Sequence, residues 1–75
     1  MSKQIQFGHG WVNIFINYAE VYITDPALIA DVVATLMAAQ IKFRVDHFPA
    51  SSIHPAGSDF TIAKSDLPKI AHKLV

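Results

Sequence analysis

Polar and apolar residues alternate in five short stretches of the chain, and this period of two is typical of β-strands. The stretches are 3–7, 11–17, 20–24, 41–47 and 59–63. The fourth alternates most cleanly, with Ile41, Phe43 and Val45 predicted to point inward and charged residues between them. This pattern is typical of an antiparallel strand with one solvated face.

Two features divide the first three stretches. Gly8-His9-Gly10 follows the first, and its glycines can supply the positive φ of a three-residue hairpin loop. The apolar face of the second stretch, which would include Ile16, goes out of step near Asn17. A turn or a bulge would explain this change, and we favour a turn.

The segment from Asp25 to Gln40 predicts a helix with a clear beginning. The Asp25 carboxylate can cap the first turn, and Pro26 fits the first helical position because no amide hydrogen is needed there. As far as Ala39 the only charge is Asp31, so the helix is apolar nearly all round. Such a helix is usually buried on more than one side. We expect a second copy or another protein to cover its alanine-rich face: Ala27, Ala30, Ala34 and Ala38.

A second helix is predicted at the end of the chain. The connection Pro49 to Ser58 is rich in Pro, Gly, Ser and Ala and separates the last two strands. Ser65 would cap the helix. The solvent-exposed face of the helix would carry Lys69, His72 and Lys73. The expected core joins both helices to the last two strands: Leu36, Ile41, Phe43, Val45, Phe60, Ile62 and Ile70.

The element order is β-β-β-α-β-β-α, which predicts one α+β domain over residues 1–75. We expect a two-layer sandwich with a mostly antiparallel sheet and both helices on one face. Residues 1–19 form an N-terminal hairpin extension, and residues 20–75 form a βαββα unit.

Composition narrows the function classes. The chain has 75 residues and no cysteine, so neither a disulfide nor a thiolate metal site is expected. Its hydrophobic content of 52% is high for this length and predicts an additional interface. Six basic and six acidic residues cancel, which argues against a nucleic-acid or anionic-lipid partner. No signal peptide is seen, and no apolar stretch approaches the roughly 20 residues that span a bilayer. We therefore expect a cytoplasmic protein without a membrane partner.

The run from Tyr22 to Ile29, followed by Val33, Leu36 and Ile41, resembles a family of small bacterial domains described as prokaryotic signal-transducing proteins. Asp59-Phe60-Thr61-Ile62 and Ser65-Asp66-Leu67 are similar to the closing part of that family's pattern, whereas Gln40 stands where the family usually has Gly. The resemblance implies a ferredoxin-like or nitrogen-regulator-like α+β domain. It transfers no catalytic residue.

Two groups of residues could carry chemistry. The first group has the residue types of a nucleophilic triad: Ser51, Ser52, His54 and Asp59. Because they lie in or next to a loop rich in Pro, Gly and Ser, hydrogen bonds within turns are the expected role of these side chains instead. The four histidines are His9, His47, His54 and His72. None of them has the helical spacing of a zinc-binding histidine pair, so neither a metal nor another cofactor is expected. His47 is predicted to form a hydrogen bond with the backbone at the end of a strand.

An exposed aromatic face is the most informative candidate site. Trp11, Phe15 and Tyr22 are expected on one face of the sheet, with Lys42 and Arg44 nearby as a polar rim. Aromatic and cationic side chains together can bind RNA, but aromatics of this kind more often belong to protein interfaces. We therefore predict a non-enzymatic interaction or regulatory module acting through self-association and partner binding. A small-molecule sensor is the alternative, with the loop at residues 49–58 shaping its site, and a minimal hydrolase is third.

Overall fold

The computed structural model describes residues 3–74 and confirms the α+β class. The elements are β1 (Lys3–Phe7), β2 (Gly10–Ile14), β3 (Tyr18–Ile23), α1 (Pro26–Ala38), β4 (Phe43–Phe48), β5 (Gly57–Ala63) and α2 (Leu67–Leu74). Within residues 3–74, neither helix has the length and hydropathy that crossing a bilayer requires.

The five strands form one sheet in the order β1-β2-β3-β5-β4, and every neighbouring pair is antiparallel. Because β3 and β4 each run antiparallel to β5, they run parallel to one another, and α1 connects them. β5 fills the gap between them. The edges of the sheet are therefore β1 and β4.

The core lies on the side of the sheet that both helices cover, here called the helix side. Val21 and Phe60 of the central strands are completely buried, as are Leu36 of α1 and Ile70 of α2. The predicted core residues Ile41 and Ile62 are also buried, at 7% and 2% exposure. Phe43 and Val45 are only half-buried, because β4 is an edge strand with one neighbour.

The turn predicted near Asn17 is confirmed, but the strand before it is shorter than expected. β2 ends at Ile14, and the Phe15 amide donates to the Tyr18 carbonyl at 2.9 Å to close the turn. Ile16 therefore leaves the apolar face and is 83% exposed.

The first hairpin loop also differs from the prediction. Phe7 pairs directly with Gly10, so the loop has two residues, Gly8 and His9. Gly10 has φ 155°, and a Cβ there would lie 1.8 Å from the Tyr22 carbonyl oxygen. Glycine is therefore required for β2 to approach β3 at this point.

Both ends of α1 are hydrogen-bonded. The Ala27 amide donates to Asp25 Oδ1 at 3.1 Å, which confirms the predicted cap. At the other end Gln40 has φ 57°, its amide donates to the Met37 carbonyl, and the Ile41 amide donates to the Leu36 carbonyl. These two bonds are a Schellman motif, in which glycine usually occupies the left-handed position. Gln40 adopts that conformation without being glycine.

The second helix begins later than predicted. Ser65 makes no capping hydrogen bond; it lies in a 3-10 turn from Lys64 to Asp66, and α2 begins at Leu67. Pro68 explains the position, since a residue without an amide hydrogen fits the first helical turn. β4 likewise begins at Phe43, so Ile41 is buried ahead of the strand rather than within it.

Candidate functional site

The sheet face opposite the helices, here called the outer face, carries one row of side chains across four strands. Trp11 of β2 lies opposite Tyr22 of β3, Tyr22 lies opposite Asp59 of β5, and Asp59 lies opposite Asp46 of β4. Side chains on alternate residues of a strand share a face, so these four residues are neighbours on the side away from the core. They are called the outer row below.

An aromatic stack forms one end of the outer row. The rings of Trp11 and Tyr22 are 4.5 Å apart and nearly parallel, at 7°. Tyr22 is only 5% exposed and Trp11 is half-buried. A Cβ at Gly57 would lie 2.7 Å from the Tyr22 ring, so the absence of a side chain there leaves room for that ring. The expectation that Tyr22 is exposed is therefore wrong, because its neighbours on the outer face bury it.

The connection between β4 and β5 folds over this stack. The Tyr22 hydroxyl donates to the Pro55 carbonyl at 2.6 Å. The His54 ring stands edge-on to both aromatics, 6.4 Å from Trp11 and 5.5 Å from Tyr22. The loop is thus held against the outer face by a hydrogen bond and by ring contacts.

The residues of the possible triad have separate partners. Ser51 Oγ accepts from the amides of Ile53 and His54, each at 3.3 Å, as turn chemistry predicts. His54 packs against the aromatic stack, whereas Asp59 lies on the sheet opposite Asp46 and diagonally from Glu20. Ser52 is exposed in the same loop.

Three carboxyl groups meet at the other end of the outer row. Glu20 pairs with Thr61 in the register and lies diagonally from Asp59, while Asp46 lies directly opposite it. Burial, the charge and hydrogen bond of Glu20 and the charge of Asp46 together raise the pKa of Asp59 from 3.8 to about 7, and burial is the largest of these causes. The outer row therefore joins an aromatic stack to a carboxyl group that titrates near neutral pH.

The remaining predicted site residues lie apart from the aromatic stack. Phe15 stacks on Tyr18 at 4.5 Å, and the Asn13–Glu20 pair lies between these rings and the outer row. Arg44 Nε lies 3.3 Å from Asp46 Oδ2. Arg44 itself pairs with Thr61 and therefore lies on the same face, two residues before Asp46 along β4.

Lys42 is exposed and precedes β4. The expected rim of cations around Trp11 and Tyr22 is thus replaced by acidic side chains. Sequence reasoning considered Asp59 only with the loop residues and missed its cluster with Glu20 and Asp46, because only the strand register brings these three together.

The histidines are separated from one another. His9 Nδ1 lies 3.8 Å from Asp25 Oδ2, and His72 is exposed on α2. His47 shares a hydrogen bond with the Ser58 hydroxyl, where a backbone partner was predicted. Among residues 3–74, no three His, Asp or Glu side chains are arranged to hold a metal ion.

In comparisons with known proteins, no family model, curated protein or solved structure matches the chain.

Proposed function

We propose that this chain is a non-enzymatic interaction module of regulatory type and that its outer face binds a protein partner. The observation that carries the proposal is Trp11, a half-buried indole stacked on a buried Tyr22 on the sheet face that neither helix covers. A large ring that is already ordered loses little entropy on binding, and such residues dominate interface energies.

The charge around the stack indicates the chemistry of the partner. Glu20, Asp46 and Asp59 share the outer face with Trp11, and Arg44 is paired with Asp46. A partner segment with lysine or arginine beside an apolar or aromatic residue would complement this surface. Phosphate groups would be repelled by it, which argues against nucleic acid.

We also propose, from the resemblance to the signal-transducing family, that the domain is ferredoxin-like. The path β3-α1-β4-β5-α2, with β5 between two parallel strands, supports this assignment. The hairpin of β1 and β2 continues the sheet beyond β3. A small-molecule sensor is the alternative function, and the loop contact between Tyr22 and Pro55 favours it as a second candidate.

The test is a displayed library of peptides, half cationic and half acidic, screened against the protein and against Trp11→Ala. We expect cationic sequences to be enriched, and their affinity for Trp11→Ala to fall at least about tenfold, as for an interface hot spot. Ile16→Ala is the matched control, because Ile16 is an exposed apolar residue in the neighbouring turn. Circular dichroism should be the same for all three proteins.

Other outcomes would separate the alternatives. Equal enrichment of acidic and cationic peptides, or unchanged binding by Trp11→Ala, would contradict the proposal. A rise in the melting temperature with a metabolite library, without peptide binding, would favour the sensor.

A further inference from the structure

Within residues 3–74, the edge strand β1 has backbone groups that no other strand pairs with. Hydrogen-bonding residues alternate along a strand, and the bonds from the Phe15 amide to Tyr18 and from the Thr24 amide to His9 place the odd-numbered residues of β2 against β3. The even-numbered residues of β2 therefore bond to β1, through its odd-numbered residues. The amides and carbonyls of Gln4 and Gln6 consequently point away from the sheet.

An apolar groove lies beside this edge. It has a volume of about 190 Å³ and is formed between the end of the sheet and α2. Its lining is apolar except for Gln6: Ile5, Phe7, Val12, Leu67, Ala71 and Leu74. Ile5, on the edge itself, is 45% exposed. The edge thus combines unpaired backbone groups with an apolar surface on its helix side.

We propose that β1 pairs antiparallel with β1 of a second copy, which makes a continuous ten-stranded sheet with a twofold axis at Ile5. This inference takes up the self-association expected from the sequence and names its surface. It differs from the alanine face of α1, whose residues Ala27, Ala30, Ala34 and Ala38 are exposed but offer only methyl groups.

The register follows from the backbone. Gln4 and Gln6 are the residues of β1 whose backbone groups point outward, and both are used when Gln4 exchanges hydrogen bonds with Gln6 of the other copy and Gln6 with its Gln4. Ile5 then lies opposite Ile5 of the other copy, at the mouth of both grooves. Unpaired backbone groups at an exposed edge are a template for pairing with another strand, and a C2 interface requires such a self-complementary patch.

The charges permit this pairing. Lys3 is the only charged residue of β1, and it would lie opposite Phe7 of the other copy. The two lysines would be roughly 14 Å apart, four residues along the strands, which exceeds the screening length of about 8 Å at physiological salt. The other edge, β4, carries Arg44 and Asp46 and is followed by Pro49, features that protect an edge from pairing.

The experiment is sedimentation equilibrium from micromolar to millimolar concentration. Gln4→Pro removes an outward amide without breaking a bond to β2, and proline is tolerated at such edge positions. Gln4→Ala is the matched control, since it removes the same side chain but keeps the amide. We expect a dimer of the 8.3 kDa chain for the wild type and Gln4→Ala. For Gln4→Pro the dissociation constant should rise by about a hundredfold.

Gln6→Pro is a second variant with the same expectation, should Gln4→Pro fail to fold by circular dichroism. Amide exchange supplies another readout: Gln4 and Gln6 should be protected at dimer concentrations and unprotected in dilute protein. A wild-type monomer over the whole range, or an unaffected Gln4→Pro dimer, would overturn the inference.

Two further variants separate this inference from the proposed function. If Ala34→Glu dissociates the dimer and Gln4→Pro does not, the surface is the alanine face of α1 and the β1 assignment is wrong. Trp11→Ala should lose peptide binding and stay dimeric, whereas Gln4→Pro should bind peptide as a monomer. Failure of one proposal therefore leaves the other readout intact.

Discussion

The two faces of the sheet are buried by different means. On the helix side, two helices cover Val21, Ile23 and Phe60, and this side of the sheet is almost entirely apolar. On the outer face, Tyr22 is nearly as well buried, but by single contacts with Trp11 and with one loop. Burial on the helix side therefore depends on the apolar volume that fills the core, whereas burial of Tyr22 on the outer face depends on a few specific contacts. Substitutions on the two faces should fail for different reasons.

The largest effect is expected on the helix side. Phe60 is fully buried, and its ring lies 6.2 Å from that of Phe43. Phe60→Ala should lower the free energy of unfolding by about 3–5 kcal/mol, because it leaves a cavity that the core cannot fill. Phe43→Ala should cost less, since Phe43 is half-buried on an edge strand. Denaturant unfolding measures both, and Thr61→Ala on the outer face is the control. Equal losses for the three variants would contradict the comparison.

The second effect is a pH dependence that belongs to the outer face. The Asp59 pKa rises from 3.8 to about 7 on folding, so the folded state holds this proton more tightly than the unfolded state. The tighter proton binding of Asp59 contributes fully to the free energy of unfolding below about pH 4, and this contribution is lost as the pH rises towards about 7. Asp59→Asn should therefore match the wild type at pH 4 and be the more stable protein at pH 8.

Thermal unfolding across this range measures the difference between Asp59→Asn and the wild type, which cancels the titration of groups that do not interact with Asp59. Asp66→Asn is the control, because Asp66 is paired with Lys69 away from the outer face. A difference between wild type and Asp59→Asn that is the same at every pH would show that Asp59 titrates normally.

A smaller loss is expected when the loop is released from the outer face. Tyr22→Phe removes the hydroxyl that donates to the Pro55 carbonyl, and should cost about 1 kcal/mol. Amide exchange in the loop should become faster, while the core amides stay protected. Tyr18→Phe is the matched control, since Tyr18 is 38% exposed. If the loop amides exchange equally fast in both variants, the hydrogen bond does not hold the loop.

The smallest effect is a gain. Gln40 occupies a left-handed conformation with φ 57°, where a Cβ is unfavourable, so Gln40→Gly should stabilise the protein by about 0.5–1 kcal/mol. Ala39→Gly should do the opposite, because Ala39 has φ −84° and gains nothing from glycine. Denaturant midpoints of the two variants should therefore move in opposite directions, and a shared direction would contradict the Schellman interpretation.

Local signals in the sequence predicted the helix side well. The cap by Asp25 and the inward parity of Phe60 and Ile62 depend on neighbours within a few residues, and both are confirmed. The outer face depends on register between distant segments. Alternation can show that Asp59 points outward, but only strand pairing shows that Asp46 lies opposite it. The early end of β2 was missed because Ile16 is apolar like a strand residue, although it lies in a turn.

The position of β5 has a consequence for the order in which the chain folds. β1, β2 and β3 form a meander of neighbouring hairpins, so their ladders close through short loops. β4 has no strand to pair with until β5 is in place, and β5 must also reach β3, where Ala63 pairs with Tyr18. Closing so long a loop is slow, since its entropy is lost before the contacts form. β4 and β5 are consecutive strands and can pair through the connection at residues 49–56, so docking of β5 onto β3 should limit the folding rate after the N-terminal meander has formed.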